Sequence, residues 1–208
     1  MAKKEAPLET IRRYIPDAAA QLVLNCLHQY KVHLTVTRNR TSVLGDYRHA
    51  TTDQTHRISV NGTLNKYSFL ITLIHELAHL ITFLKFHNRV DPHGKEWKNE
   101  YALLLIHFLL PEIFPPDLIQ ALKKSMHNLP ASSCSDEQLM RSLKKYDKPG
   151  GLIMVEQVAE GNLFDAGKGK YFRKGKKLRK RYHCIEVASG MVYLFSPIFE
   201  VKVVPSTH

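Results

Sequence analysis

The sequence predicts an α+β protein, in which a helical core with a small antiparallel sheet is followed by a smaller β-rich element. Residues 67–87 are apolar around most of the helical circumference and contain neither Gly nor Pro, which indicates a buried helix. Short segments with a two-residue apolar period lie before this helix and again after residue 152, as in half-buried strands. These two patterns together favour the α+β class.

Several shorter elements surround the long helix. Apolar residues from Ala19 to Tyr30 recur at three- and four-residue spacing, which predicts a first helix after Pro16. Period-two alternation predicts strands at 32–36, 47–49 and 57–60. The segments that follow the long helix are a loop at 88–94, a helix from Trp97 to Pro111 and a short helix from Pro116.

A change of composition divides the chain in two. Residues 128–151 contain Pro130, four serines and a Pro-Gly-Gly break, a composition typical of a linker with at most one short helix. We therefore expect a first domain at 1–127, a linker at 128–151 and a basic β-rich element at 152–208. The strands predicted in this last element lie at 152–158, 182–187 and 191–195.

Composition restricts the classes of protein that fit. Hydrophobic residues make up 44% and charged residues 24%, as in ordinary globular proteins, and no apolar run approaches the roughly 20 residues that span a bilayer. The first residues are not followed by the apolar segment of a secretory signal, and three widely spaced cysteines suggest reduced thiols. We therefore expect a soluble, cytoplasmic protein without a membrane partner. The sequence leaves the oligomeric state open.

The net charge of +11 is concentrated near the C-terminus, because residues 166–208 hold ten Lys or Arg against two acidic residues. Within 168–181, basic residues alternate with Tyr171 and Phe172 and no acid is present, a mixture that suits phosphate neutralisation and base stacking. A solvated hairpin kept soluble by its charge is the alternative. The predicted nucleic-acid-binding residues are Lys170, Arg173, Lys174, Lys176, Lys177, Arg179, Lys180 and Arg181.

A motif with metal-ligand spacing lies in the middle of the predicted buried helix. His75 and His79 are four residues apart, which places both imidazoles on one face about one turn apart, as a tetrahedral zinc requires. Burying two imidazoles and a carboxylate without partners is costly, which favours a metal site over unrelated core residues. Glu76 would then lie beside the metal, where a carboxylate can take a proton from an attacking water and deliver it to a leaving amine.

A catalytic zinc needs a third protein ligand and an open fourth position. His93 is favoured, because the Pro and Gly on either side of it allow the chain to return sharply towards the first two histidines. His87 is two turns beyond His79 on the same helix, too far along the axis at about 1.5 Å per residue to share the ion. Glu100 remains an alternative, since some zinc peptidases take a glutamate from the following helix.

The segment LITLIHELAHLITFLKFHNRVDPHGKEWKNE closely resembles the core of the SprT-like proteins, whose eukaryotic relative is the protease Spartan. Two earlier segments, LGDYR and HRISVN, resemble strands of that family, so the resemblance covers roughly residues 17–125. It implies a zincin-like fold in which His75, His79 and His93 bind zinc and Glu76 is the catalytic base. It also implies a link to DNA, because the eukaryotic member is a DNA-dependent protease that degrades proteins crosslinked to DNA.

The tail resembles the zinc ribbon with which members of this family often end, but only in part. In RYHCIEVASGMVYLF the first cysteine of a CxxC pair is present as Cys184, whereas Val187 occupies the second place and no upstream CxxC pair exists. A four-cysteine site cannot be built from these residues. We therefore expect a degenerate, metal-free ribbon and one zinc ion per chain.

These observations predict a zinc metalloendopeptidase that hydrolyses DNA-associated or DNA-crosslinked proteins. Its expected partners are a protein substrate and DNA, preferably single-stranded and bound without regard to sequence. The alternative is a non-catalytic, zinc-stabilised nucleic-acid-binding module. An intact Glu76 favours the enzyme, because a purely structural zinc site has no use for a base at that position.

Overall fold

The computed structural model of the chain describes residues 8–38, 43–126 and 136–204. The chain divides into two compact units, Met1–Asp147 and Lys148–His208. Each unit has a buried apolar cluster of its own. The first unit combines helices with a sheet and the second is built on a sheet, which confirms the α+β class.

The described part of the first unit contains five α-helices and three strands. They are α1 (Ala20–Gln29), β1 (Val32–Thr37), β2 (Gly45–Arg48), β3 (His56–Asn61), α2 (Lys66–Phe86), α3 (Lys95–Leu109), α4 (Pro116–Met126) and α5 (Glu137–Lys144). Two short 3-10 helices precede α1, at Leu8–Arg13 and Asp17–Ala19. The helices and strands predicted before residue 127 are present within a few residues of their expected bounds.

α2 is the central helix of the first unit. It begins after Asn65, whose side-chain oxygen accepts hydrogen bonds from the backbone N–H groups of Tyr67 and Ser68 at 3.0 and 2.9 Å. These bonds satisfy two of the donors that the first turn of a helix leaves free. The helix ends at His87, whose φ of 54° lies in the left-handed region and turns the chain away from the helical path.

Most of α2 is buried, including the large apolar side chains of Phe69, Leu73 and Leu77. With 21 residues and a mean hydropathy of 1.5, α2 is long and apolar enough to cross a bilayer, which differs from the expectation that no such run exists. However, 67% of its apolar stretch is buried inside the protein. A core helix of a soluble protein has the same properties, so this helix is weak support for a membrane span.

The sheet of the first unit has the strand order β1-β3-β2 and is mixed. β2 runs antiparallel to β3, but β1 runs parallel to it, so the predicted antiparallel sheet is correct for only one of the two pairs. β1 and β3 point the same way because the chain reverses direction twice between them, before and after β2. β2 is left at an edge of the sheet and packs against α2.

The predicted linker at 128–151 contributes α5 to the first unit. Leu143 of this helix is buried in the same apolar cluster as α2. The side-chain amide of Asn65 donates to the carbonyl oxygen of Leu143 at 3.1 Å and to a carboxylate oxygen of Asp147 at 2.6 Å. The first unit therefore extends to Asp147, beyond the boundary expected from the sequence. Residues 127–135 of the predicted linker lie outside the described residues.

The described residues of the second unit form a six-stranded antiparallel sheet with the order β4-β9-β5-β6-β7-β8. Its strands are β4 (Leu152–Met154), β5 (Leu163–Asp165), β6 (Tyr171–Leu178), β7 (Arg181–Glu186), β8 (Val192–Phe195) and β9 (Glu200–Val203). The strand predicted at 152–158 is too long, because a 3-10 helix at Val155–Gln157 follows β4. The sequence does not predict β5, β6 and β9.

β6 coincides with the basic stretch of the sequence, which explains why the sequence does not show the two-residue apolar period of a strand there. Phe172 and Lys174 are buried on the inner face of the sheet, whereas Arg173 between them is exposed. Charged residues on both faces of a strand conceal its two-residue apolar period. Beyond Lys174 a bulge shifts the register with β7, and Gly175 is required there because a Cβ would collide with the backbone oxygen of His183.

Candidate metal centre

Three imidazoles converge beside α2. The Nε2 atoms of His75 and His79 are 3.2 Å apart, and Nε2 of His93 lies 3.0 Å from that of His79 and 3.3 Å from that of His75. Nitrogen ligands about 2.0–2.1 Å from a tetrahedral zinc lie roughly 3.3–3.4 Å from one another. The observed triangle is only slightly tighter, so these three histidines fit a metal ion.

Two different elements supply the ligands. His75 and His79 are one turn apart on α2, and His93 lies in the short connection immediately before α3. In that connection the backbone N–H of Gly94 donates to the carbonyl oxygen of Asp91 at 2.9 Å, which closes a tight turn around His93. This turn is the sharp return that the neighbouring Pro and Gly predict.

The environment keeps the three imidazoles neutral. Burial and, to a smaller extent, the two other imidazoles lower the pKa of His75 to about 3, and burial and, to a smaller extent, His93 lower that of His79 to about 4. The pKa of His93 is also lowered, mainly by burial and then by Lys98. A neutral imidazole carries the free lone pair that a metal ion requires. The site is therefore ready to accept a cation near neutral pH.

Trp97 at the start of α3 forms the wall behind the histidines. Its ring is fully buried, and the centroids of His75, His79 and His93 lie 4.6, 5.3 and 4.8 Å from it. Tyr101 stacks on the indole at 4.9 Å. No role in the site is predicted for Trp97 from the sequence. Trp97 lies four residues after His93, in the first turn of α3, and this short separation is the signal that points to the contact.

Glu76 lies on the wall of the same site. An open cavity of about 280 Å³ is lined by Gly45, Asp46 and Tyr47 of β2 and by the three histidines and Glu76. Burial and, to a smaller extent, the charge of Asp46 raise the pKa of Glu76 to about 8. A cation held by the histidines would favour the carboxylate instead, because opposite charges stabilise each other. The protonation state of Glu76 therefore depends on metal binding.

β2 approaches α2 so closely that only a glycine fits at position 45. A Cβ on Gly45 would lie 2.6 Å from Oε1 of Glu76 and 2.7 Å from Cγ2 of Thr72. The edge strand thus lies directly against the carboxylate that the sequence assigns as the base. The contact of Gly45 with Glu76 is not predicted from the sequence, although a glycine inside a strand-like segment is a recognised signal of close backbone approach.

Comparisons with known proteins agree with this geometry. The SprT-like family matches residues 15–104, a range that contains every residue of the cavity. Residues 15–104 therefore form a SprT-like domain. The comparison with solved structures gives no significant match.

Bacterial proteins are similar to part of the chain. The chain is 34% identical over 105 residues to Protein SprT of Yersinia pseudotuberculosis serotype IB (strain PB1/+), across 44% of this chain and 59% of the relative. It is 36% identical over 96 residues to Protein SprT of Pectobacterium carotovorum subsp. carotovorum (strain PC1), across 40% of this chain and 56% of the relative. The chain thus spans less than two thirds of the length of these relatives.

Tyr47 is held at the cavity of the SprT-like domain by His56. Its hydroxyl lies 2.9 Å from Nδ1 of His56, which also accepts the backbone N–H of Ala50 at 3.2 Å. Because an amide N–H can only donate, Nδ1 carries a lone pair and the Tyr47 hydroxyl is also a donor. Burial raises the pKa of Tyr47 and lowers that of His56. Both side chains therefore remain neutral near pH 7, and the Tyr47 ring is fixed in place.

The two other ligand candidates lie apart from the metal centre of the SprT-like domain. Oε1 of Glu100 is 2.7 Å from Nζ of Lys85, so this carboxylate forms an ion pair. His87 is exposed at the end of α2, with its ring edge-on to Phe83 at 5.6 Å. Among the described residues, neither belongs to the cluster of potential ligand atoms. The structure brings His93, and not Glu100, to the pair on α2.

Lys174 differs from the other predicted nucleic-acid-binding residues. It is only 5% exposed, and its ammonium donates to the carbonyl oxygen of Glu156 at 3.0 Å and to that of Val158. A lysine held in this way cannot reach a phosphate group. Its assignment as a nucleic-acid contact is therefore wrong, because the alternation of β6 places it on the inner face of the sheet.

The remaining predicted contacts are exposed. Lys170 pairs with Glu186 at 3.4 Å, and a guanidinium nitrogen of Arg173 donates to the carbonyl oxygen of Gly161 at 2.9 Å. The others lie at the turn between β6 and β7, which we call the hairpin tip. Its residues are Lys176, Lys177, Arg179, Lys180 and Arg181.

Proposed function

We propose that this protein is a zinc-dependent metalloendopeptidase with one zinc ion per chain. The observation that carries the proposal is the triangle of Nε2 atoms of His75, His79 and His93, with Glu76 on the wall of the same open cavity. The match of residues 15–104 to the SprT-like family supports it. The bound zinc would act as a Lewis acid that polarises the peptide carbonyl and makes a water molecule more acidic.

In this proposal the protein supplies the proton transfers. The carboxylate of Glu76 accepts a proton from the attacking water and delivers it to the leaving amine. Gly45 sets the position of that carboxylate, since the backbone of β2 touches it. Trp97 restricts the three imidazole rings to one arrangement, which holds the ligand atoms ready before metal arrives.

The alternative, a zinc-stabilised module without activity, has less support. A structural zinc is normally closed by a fourth protein ligand, whereas a catalytic zinc keeps one position open. Among the described residues, the cluster of potential ligands consists of three histidines and faces an open cavity. A buried carboxylate at that cavity is costly and serves no purpose in a structural site.

The proposed substrates are proteins that are bound or crosslinked to DNA, and the proposed setting is the cytoplasm. The hairpin tip supports the first point, because its exposed basic residues can neutralise phosphates of single-stranded DNA without reading its sequence. Cys26 and Cys184 support the second point, since both are free and buried, as in proteins of a reducing compartment.

Hydrolysis of an unfolded basic protein by the purified, zinc-loaded chain tests the proposal, with and without single-stranded DNA and with and without a chelator. We expect fragments from the wild type and none from Glu76→Gln, because an amide keeps the shape of the side chain but cannot take a proton. The matched control is Glu112→Gln, the same change at an exposed position outside the cavity.

Metal analysis of the same proteins distinguishes loss of zinc from loss of the general base as the cause of missing hydrolysis. We expect about one zinc per chain in the wild type and in Glu76→Gln, and loss of zinc with partial unfolding in the double variant His75→Ala/His79→Ala. Undiminished hydrolysis by Glu76→Gln would contradict the role of the base. A content near two zinc ions per chain would show that the second unit also binds metal.

A further inference from the structure

The six-stranded sheet of the second unit has one buried face and one exposed face. Phe172, Cys184, Tyr193 and Phe195 belong to or pack against the buried apolar cluster. Neighbouring residues on β6, β7 and β8 point the other way. We call their surface the outer face, and it consists of Tyr171, Arg173, His183, Ile185, Val192 and Leu194.

The outer face has an aliphatic centre on two adjacent strands, with Ile185 on β7 and Val192 and Leu194 on β8. Ile185 pairs with Val192 on one side and with Arg173 on the other, and His183 pairs with Leu194. Directly opposite residues of antiparallel strands have Cβ atoms about 4.5–5.5 Å apart, so these side chains touch one another. Ile185, Val192 and Leu194 are nevertheless 42%, 50% and 55% exposed. Exposed apolar patches with a polar rim commonly mark interaction sites.

The patch ends at an unprotected sheet edge. β8 is the last strand in the order, so one side of its backbone has no strand partner among the described residues. The segment from Val187 to Phe199 around it contains no charged residue. Proteins usually place charges, proline or a covering element at such edges to prevent the addition of another strand. β8 itself contains neither a charged residue nor a proline, and Pro197 follows the strand, so the edge of β8 is open to strand addition.

The charge of the unit identifies the kind of partner. Residues 148–208 contain eleven Lys or Arg against five Asp or Glu, so a second copy of the chain would bring like charges together. The outer face has two rings, Tyr171 and the half-buried His183, at the margins of its aliphatic centre, whereas nucleic-acid platforms use several exposed aromatic rings for base stacking. An acidic protein segment with apolar side chains satisfies both the charge and the aliphatic surface.

We propose that β8 and the outer face bind an extended segment of another protein, in which apolar and acidic residues alternate. The segment adds to the sheet as a seventh strand beside β8, and its apolar side chains cover Val192 and Leu194. Its carboxylates point to the opposite face of the sheet, on the side of Tyr193, where the exposed ammonium group of Lys170 lies 6.0 Å from the centroid of the Tyr193 ring. This site lies in the second unit, so it does not depend on peptide hydrolysis by the SprT-like domain.

Binding of labelled peptides to the full-length protein tests the proposal. The probe is a short peptide of alternating Val and Glu, and the controls are a Val/Lys peptide, an oligo-aspartate and single-stranded DNA. We expect saturable binding of the Val/Glu peptide, no binding of the Val/Lys peptide, and protection of β8 amides from hydrogen exchange in the complex. Oligo-aspartate should bind much more weakly, because it has no apolar side chains.

The deciding variant is Val192→Lys/Leu194→Lys. Added lysines strengthen the attraction for an acidic peptide, so a loss of about tenfold or more in affinity can only come from the lost apolar contact and the newly charged edge. The matched control is Leu103→Lys/Leu110→Lys, the same change at leucines that are 60% and 78% exposed in the first unit. If the lysine pair disturbs folding, the milder variant Val192→Thr/Leu194→Thr replaces it in this test. It should also weaken binding of the Val/Glu peptide.

Several results would overturn the proposal. These are failure of the wild type to bind the Val/Glu peptide, equal binding of oligo-aspartate, or unchanged binding after the lysine pair is introduced. A dimer in sedimentation analysis that the lysine pair dissociates would assign the face to a second copy. Loss of single-stranded DNA binding in that variant would assign it to nucleic acid.

Discussion

The backbone of Gly45 rests against the carboxylate of Glu76, so that a Cβ at position 45 would lie 2.6 Å from Oε1 and 2.9 Å from Cγ of that glutamate. Glu76 itself is held on the rigid helix α2, and Gly45 is held by the pairing of β2 with β3. Neither partner can move without disturbing a regular element. The contact therefore fixes the side chain that we propose as the general base.

Replacing Gly45 with Ala should reduce peptide hydrolysis while zinc remains bound. The new methyl group must displace either β2 or the Glu76 side chain, and a misplacement of about 1 Å can reduce a rate by about 100-fold. The kcat/KM for a quenched-fluorescence peptide and the zinc content per chain measure the two effects. Gly150→Ala is the control, because only the Lys148 carbonyl oxygen, at 3.7 Å, lies near its Cβ position. Wild-type activity in Gly45→Ala would show that the contact does not position the base.

His93→Ala should weaken zinc binding far more than Glu100→Ala. Loss of a ligand should exceed the roughly 10–100-fold that changes in the groups around a metal site cost. Glu100 is itself buried and pairs with the half-exposed Lys85, so its loss should leave zinc affinity unchanged and lower the stability of the metal-free protein instead. Competition with a fluorescent chelator gives the affinities, and thermal unfolding of the metal-free proteins gives the stability. The reverse order of affinities would assign the third ligand to Glu100.

Zinc binding should resist mild acid. Protons compete with zinc only where an imidazole takes them up, and burial lowers the pKa of His75 to about 3 and that of His79 to about 4. Three unperturbed imidazoles with a pKa of about 6.5 would lose roughly 10⁴-fold in affinity between pH 7 and 5. Because two of the three ligands stay unprotonated over that range, we expect a loss of no more than about 30-fold, followed by a steep fall below about pH 4.

Chelator competition across this pH range, corrected for protonation of the chelator itself, measures the effect. His93 is the ligand expected to account for the small loss above pH 5, since its pKa is lowered less strongly by its partly exposed position. A loss of zinc affinity as steep as that expected for three unperturbed imidazoles would show that the histidines of the metal-free protein are open to solvent.

Charge reversal at the hairpin tip should weaken binding of single-stranded DNA. Lys176→Glu/Lys180→Glu removes two exposed cations, and each lost phosphate contact lowers the slope of log affinity against log salt by about 0.7. Lys174 is left unchanged, because its ammonium is buried against two carbonyl groups. Lys123→Glu/Lys124→Glu makes the same change on the exposed side of α4 and should leave the slope unaltered. An equal effect of the two pairs would make the hairpin tip a solubility feature.

Local patterns predict much of this protein. The unbroken apolar periodicity of α2 marks it as a buried helix, and the four-residue step between His75 and His79 places both on one face. The return of the chain at His93 follows from the residues on either side of it. In each case the determining information lies within a few residues, where backbone geometry leaves few alternatives.

Contacts between segments that are far apart in the sequence cannot be predicted from such local patterns. No local pattern shows that Gly45 touches Glu76, because the contact depends on how β2 is placed against α2. The strand β6 is hidden for a different reason, since Lys174 looks like a surface residue and is buried only because two carbonyl groups satisfy its ammonium. The linker composition allows one short helix, but neither the bounds of α5 nor its attachment to the first unit follows from the sequence.

The amide of Asn65 has a consequence for how the protein can be divided. One side chain both caps the helix that carries His75 and His79 and holds the chain at Leu143 and Asp147, far beyond residue 104, where the family match ends. Removal of everything after α4 would leave this amide without its partners and expose the apolar surface that Leu143 covers. The smallest self-sufficient form of the first unit therefore ends at Asp147, and α5 is a structural component of the half that carries the histidine cluster.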